Sequence, residues 1–366
     1  MVASLLALTA TGQSRSPRDD LRQALADYSG EAGKVDLRRA HDLVEGALAS
    51  GDPVVRLRAA ALIHLGKCLF EQDPGRAREL AAGQIAAVRA AAESGDPLAQ
   101  EALATALLLG LGTAADPSAA VPWYERASAQ GHLWATYNLA WMRSAGTGVQ
   151  KDLAASLALY RKAAEAGHRG AAVNVGDFYA NGWGLAAADP AAAVPWLRRA
   201  AEAGDPVGLL RLGWVYNDGV GGVTADRSKS CRYYRQSADA GVPLAMYMTA
   251  FCVRDGVDGK KDAAGALDWF HAAADHGWTS ATWQLAWAYE HGYGAPKDEK
   301  KALAWLRKGA ELGDVVAMRS LGECYEEGRL VAKDPAQART WYAKAAEAGD
   351  AQALGRLRIL DLDGGR

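Results

Sequence analysis

Cysteine is scarce in this chain, with four in 366 residues. Three of them, Cys68, Cys252 and Cys324, hold equivalent places in a recurring pattern. Equivalent places in stacked repeats point in parallel, a unit or more apart, which is beyond the reach of an S–S bond. A disulfide framework is therefore not expected, and the thiols read as small buried residues. An excess of either charge is also missing: the net charge is -2, with Lys, Arg, Asp and Glu interspersed. That argues against a nucleic-acid surface, which needs concentrated positive charge. No apolar run is long enough to span a membrane. The seven histidines form no His-x-x-x-His pair, and no Cys-x-x-Cys occurs, so the usual signals of a metal site are missing. His132 and His168 follow recurring glycines, while His41, His64, His271, His276 and His291 scatter. No catalytic constellation emerges and no cofactor is implied.

What the chain has is a beat. Asp recurs every 36 or 37 residues, at Asp116, Asp152, Asp189, Asp226, Asp262, Asp298 and Asp334. A Gly follows each after 15 positions, at Gly131, Gly167, Gly204, Gly241, Gly277, Gly313 and Gly349. Repetition at this period marks a solenoid of stacked helix pairs. An Asp before a helix accepts from the unpaired first-turn N–H groups, and a Gly after one takes the left-handed conformation that ends it. The seven Asp residues are thus structural caps, one per unit, too far apart to act as paired catalytic carboxylates. Within each bracket a small residue stands four after the Asp, a large one seven after it (Trp123, Leu159, Trp196, Tyr233, Trp269, Trp305, Trp341), and a small one at eleven. Those spacings predict a packing stripe.

A second helical pattern precedes each bracket, with Leu139-Ala140, Leu212-Gly213, Leu285-Ala286 or Leu321-Gly322, and with Tyr179, Tyr216, Tyr289 and Tyr325 three positions after the small residue. The small residue allows close helix approach. Gly-rich turns such as Gly182-Trp183-Gly184 and Gly292-Tyr293-Gly294 join the helices. With no strand before them, these Gly-x-Gly pairs read as connections rather than nucleotide loops.

Together these residues resemble the Sel1-like repeat family, relatives of tetratricopeptide repeats with a longer Gly-containing loop. The pattern is complete in residues 314–350: Ala317, Leu321-Gly322, Tyr325, Gly328, Asp334, Ala338, Trp341-Tyr342, Ala345-Ala346-Glu347 and Gly349-Asp350. The resemblance implies an all-α fold, a right-handed α–α superhelical solenoid, and adaptor or assembly roles without enzymatic activity. It departs from the cysteine-rich secreted branch, in which each repeat carries its own Cys pair. Seven repeats span 96–350; the one at 242–277 deviates most, with Thr249 and Val253 in the Leu and Tyr places. Residues 18–95 read as degenerate helical repeats, in which Asp36, Ala40, Leu43, Ala47 and Gly51 keep the second-helix spacing and Leu65-Gly66-Lys67-Cys68 matches a first helix. An extended helix is expected after Asp73-Pro74, and 351–366 form a C-terminal capping helix and tail. Residues 1–17 read as a flexible or remnant signal segment. The apolar run at 1–12 is short and has no Lys or Arg before it, so the cytoplasm is expected, with export to the periplasm or beyond as the alternative.

Function should lie in residues that the repeat does not require. On each first helix, positions two before and two after the Leu project away from the packed side, toward the inner, concave surface of a solenoid. They carry Trp134, Tyr137, Trp141, Trp214, Tyr247, Phe251, Trp283 and Trp287, with Asp177, Asn181, Asn217, Asp218, Arg254, Glu290 and His291 beside them. Trp141, Trp214 and Trp287 recur 73 residues apart. Such aromatics predict a binding groove, because exposed apolar patches mark interaction sites; the competing account is that they pack between neighbouring first helices and set curvature. Arg319, Glu323, Glu326 and Glu327 would make one end acidic, suiting a peptide with apolar anchors and a basic residue. The expected function is a non-enzymatic scaffold that binds a partner protein or peptide. A glycan-binding repeat protein and a specific inhibitor of one enzyme are the alternatives.

Overall fold

The computed structural model describes residues 16–29, 37–65, 71–257 and 259–363. The apolar run at 1–12, Asp36, and the Gly66–Cys68 part of the proposed first-helix match lie outside the described residues. Every element among the described residues is helical. The Asp series begins a helix each time: Asp116, Asp152 and Asp189 accept from the third residue on at 2.9–3.0 Å. Asp226, Asp262, Asp298 and Asp334 do the same. The paired glycines follow the helix ends with positive φ, from +75° at Gly204 to +107° at Gly167. Replacing Asp298 with Ala, which removes its bond to the Lys301 N–H, is expected to lower stability by about 1 kcal/mol. Urea unfolding followed by circular dichroism checks this, and an unchanged midpoint would count against the capping role.

The helices fall into two compact units, residues 1–208 and 209–366. The first holds α1 (Pro17–Ser29), α2 (Leu37–Leu48), α3 (Pro53–His64), α4 (Pro74–Ala81), α5 (Ile85–Glu93), α6 (Pro97–Leu109), α7 (Pro117–Ala129), α8 (Leu133–Ala145), α9 (Leu153–Glu165), α10 (Arg169–Asn181) and α11 (Pro190–Glu202). The boundary lies within α12 (Pro206–Asp218). The second continues with α13 (Arg227–Asp239), α14 (Pro243–Asp255), α15 (Ala263–Asp275), α16 (Ser280–His291), α17 (Glu299–Glu311), α18 (Val315–Glu327), α19 (Pro335–Glu347) and α20 (Ala351–Asp363). From α6 onward, even-numbered first helices alternate with odd-numbered second helices.

Packing explains the motif and shifts part of its reading by one residue. The large residue seven after each Asp is only half-buried, and the residue at eight is the core member: Tyr124, Tyr160, Leu197, Tyr234, Phe270, Leu306 and Tyr342 are all buried. Positions four, eight and eleven share the buried face, and position seven stands at its edge. There a cation one turn on covers the ring, as Arg126 does over Trp123 at 4.7 Å, Lys308 over Trp305 at 4.5 Å and Lys344 over Trp341 at 4.3 Å. The small first-helix residue does allow close approach. A Cβ on Gly322 would stand 2.7 Å from the Tyr342 ring, and one on Gly213 2.5 Å from Tyr234. In the turns, Gly294 has φ +76°, and a Cβ there would come 2.2 Å from the Ala263 carbonyl oxygen. The second Gly of that Gly-x-Gly turn therefore lets it lie directly on the start of the preceding second helix.

Three expectations are overturned. The helix after Asp73-Pro74 is not extended but broken into α4 and α5, with Gly83 at φ +71° between them. Leu65 is not inside a first helix: α3 starts after its cap Asp52 and ends at His64, with Leu65 as C-cap. Counted from the cap, Ala59 and Ala60 take the places that Leu321 and Gly322 hold after Asp314, and both are fully buried. The third is the disulfide. Cys231 and Cys252 are bonded, with Cα atoms 5.8 Å apart and a separation of 21 positions in sequence. The bond does not join two equivalent first-helix positions: it joins a second helix, α13, to the next first helix, α14. Cys324 is free and buried, and burial pushes its thiol up to about 11.

Candidate binding site

A second set of caps positions the first helices, and so the side chains they display. The residue after the terminating Gly accepts from the first turn in α6 (Asp96), α8 (His132), α10 (His168), α18 (Asp314) and α20 (Asp350). As acceptors, the Nδ1 atoms of His132 and His168 must be unprotonated. Burial supports this by lowering both pKa values, that of His168 to about 3.

In the 1–208 unit the aromatic face is largely filled. Tyr137 stacks on His168 at 4.4 Å and packs on Tyr160 at 5.6 Å, and Trp134 meets His168 edge-on at 5.2 Å. Arg58 of α3 lies 5.3 Å from the Trp134 ring centroid. These rings pack against side chains of α3, α9 and the cap of α10. Trp141 differs in being 44% exposed. Asp177 is half-buried, and its carbonyl accepts from the Asn181 amide at 2.8 Å. Trp183, in a Gly-rich turn set aside as connective, is 47% exposed.

In the 209–366 unit the same positions divide. Trp214 is half-buried against the core with the Arg211 guanidinium 4.6 Å from its centroid. Tyr247 and Phe251 pack on each other at 4.8 Å and on Phe270 at 5.7 and 5.3 Å. Arg254 lies over Phe251 and pairs with Asp255 at 2.9 Å, and Asn217 donates to Asp218. Farther along, Trp283 donates its indole N–H to Ser320 at 3.0 Å. Trp287 is 38% exposed, with His291 stacked on it at 4.8 Å.

Trp283, Trp287 and His291 are brought together around a cavity of about 300 Å³ between α16 and α18. Ala286 and Leu306 supply apolar lining, and Glu290, Arg319, Glu323 and Arg329 supply charge. Arg329 comes from the turn after α18, outside any helical period, and pairs with Glu290. Glu326 belongs elsewhere, accepting from the Tyr342 hydroxyl at 2.7 Å and pairing with Arg356 at 2.6 Å. An aromatic wall, an apolar floor and a charged rim can hold a side chain. Among the described residues no three His, Cys, Asp or Glu side chains gather as metal ligands, and no helix is long and apolar enough to cross a membrane.

The family model described as Sel1 repeat matches residues 97–132, 135–168, 170–205, 206–242, 243–278, 279–314 and 315–350. The chain belongs to the Sel1 repeat family. Its seven Sel1 repeats cover the stretch in which the Asp and Gly series run. Among solved structures it is similar to the Sel1 repeat protein from Oxalobacter formigenes, at 27% identity and a TM-score of 0.62, covering 67% of this chain and 96% of that one. It is also similar to c5321, a protective antigen present in uropathogenic Escherichia coli strains, at 26% identity and a TM-score of 0.57, covering 93% of this chain and 79% of that one. No curated protein matches the chain. Sel1 repeat proteins are generally protein-interaction scaffolds, and the family is typically non-enzymatic.

Proposed function

We propose that this protein is a non-enzymatic adaptor whose 209–366 unit takes a segment of a partner protein against α16 and α18. The observation that carries this reading is Trp287, which stays exposed at the rim of a cavity although the repeat does not need an aromatic there. Tryptophan supplies large contact area at low entropic cost and is enriched among interface anchors. Replacing Trp287 and Trp141 together with Ala is expected to leave helicity and melting unchanged and to weaken capture of the partner from host extract at least about tenfold. Trp214→Ala is the contrast, because its ring packs on the core and its loss is expected to cost stability. Unfolding of the Trp141/Trp287 variant would assign those rings to structure instead.

The compartment proposed is an oxidising one. Disulfides persist outside the reducing cytosol, and the Cys231–Cys252 bond favours export over the cytoplasm. Alkylation of free thiols in protein taken directly from the host distinguishes the two: an exported chain keeps this pair unlabelled until reduced. Export also makes a glycan stacked on Trp287 the second reading, in which case glycosidase treatment of the extract would abolish capture.

A further inference from the structure

The cavity beside Trp287 has an electrostatic asymmetry that selects its occupant. Arg319 is held from two sides, by Glu323 at 3.3 Å and Asp350 at 3.1 Å. Arg329 is likewise held between Glu290 and Glu327. The cavity lining itself holds two guanidiniums and two carboxylates, and Asp350 and Glu327, which do not line it, bring the carboxylates around the two guanidiniums to four. Of these carboxylates, Glu290 and Glu323 line the cavity, from α16 and α18 respectively.

An anionic side chain would find both guanidiniums already engaged twice over. A neutral polar one would gain no charge-assisted bond. A cation meets complementary groups at each step: the indole face of Trp287 for its charge, Glu290 and Glu323 for its N–H groups, and Leu306 and Ala286 for an aliphatic stem. The Trp283 N–H, a donor that would repel it, is already given to Ser320.

We propose that the partner segment inserts an Arg or Lys side chain here, its cationic head against Trp287 and between Glu290 and Glu323. This rests on the reading of the α16–α18 cavity as the partner site. It assigns the anchor to Glu290 and Glu323 rather than to Glu326 and Glu327.

The test uses the full chain and blocked nine-residue peptides of alternating Leu and Ser with Arg, Lys, citrulline or Glu at the centre. Binding is followed by fluorescence polarisation, and occupancy of the site by the Trp287 indole N–H resonance. The Arg and Lys peptides are expected to bind at least about tenfold tighter than the isosteric but neutral citrulline peptide, with the Glu peptide weakest. Glu290→Gln and Glu323→Gln are each expected to erase the difference between Arg and citrulline while leaving the citrulline peptide unchanged. Glu323→Gln keeps the Arg329–Glu290 pair, so it decides the matter if Glu290→Gln alters melting. Equal binding of all four peptides with the Trp287 resonance still shifted, or tighter binding of the Glu peptide, overturns the basic anchor and leaves the peptide site standing. No shift of Trp287 with any peptide overturns both.

Discussion

Reducing the Cys231–Cys252 bond is expected to destabilise the 209–366 unit by about 3 kcal/mol, read as a lower urea midpoint, with a steeper slope as the unfolded chain loses its crosslink. The size follows from the loop: the bonded residues are 21 apart in sequence, and freeing a loop of that length returns its closure entropy to the unfolded chain. Cys231→Ser, which cannot form the bond, is expected to match the reduced protein. A second variant separates the crosslink from the packing. Second-helix and first-helix core positions 21 residues apart recur as Val121 and Met142, Leu157 and Phe178, Val194 and Val215, Leu267 and Ala288, and Leu303 and Cys324. All are buried except Leu303, which is half-buried. Replacing Cys231 with Leu and Cys252 with Ala installs the pair found one repeat later, and is expected to recover about 1 kcal/mol or more relative to Cys231→Ser through restored apolar burial. A midpoint indifferent to reductant would show that the bond contributes nothing to stability.

That bond also shows where the sequence was legible and where it was not. Asp298 and Gly313 could be assigned because a cap and a terminator act locally, through the first and last turns of their own helix. Gly322 could be assigned because a missing Cβ has one common use inside a helix. The disulfide depends on how one repeat's second helix meets the next repeat's first helix. The 21-residue spacing that reveals it exists in the sequence, but it is meaningful only once that contact is known. Residues 53–95 misled for a related reason: Leu65-Gly66 imitated a repeat motif, while the cap Asp52 fixed the register six residues earlier. At the candidate site, Trp283, Trp287 and His291 were readable from helical projection. Arg329 was not, because it enters from a turn, and turns follow no helical period.

Replacing Glu101 with Leu is expected to cost about 3–5 kcal/mol, because the partner it abandons is buried. Arg58 on α3 and Glu101 on α6 pair at 2.8 Å with side chains 3% and 0% exposed. Glu101 also accepts from Thr105 at 3.0 Å, and Thr105 lies 2.8 Å from the Tyr124 hydroxyl of α7. Without the carboxylate, the buried guanidinium against the Trp134 ring loses its ion-pair partner. The double variant Arg58→Met with Glu101→Leu removes both charges and fills similar volume, and is expected to return to within about 1 kcal/mol of the parent. Urea unfolding of the parent, both single variants and the double variant forms a thermodynamic cycle, and additive losses would show that the two residues do not act as a pair. The same cycle bears on why the first-helix faces of the two units differ. In the 1–208 unit Arg58 lies beside the half-buried Trp134, and its pair with Glu101 is buried. At α16 and α18 the corresponding face carries Glu290, Arg319, Glu323 and Arg329, each partly exposed around a cavity. A buried pair specifies how helices pack, whereas partly exposed charges around a cavity are free to be answered from outside. If the double variant folds as expected and still captures the partner, the Arg58–Glu101 pair serves folding rather than recognition.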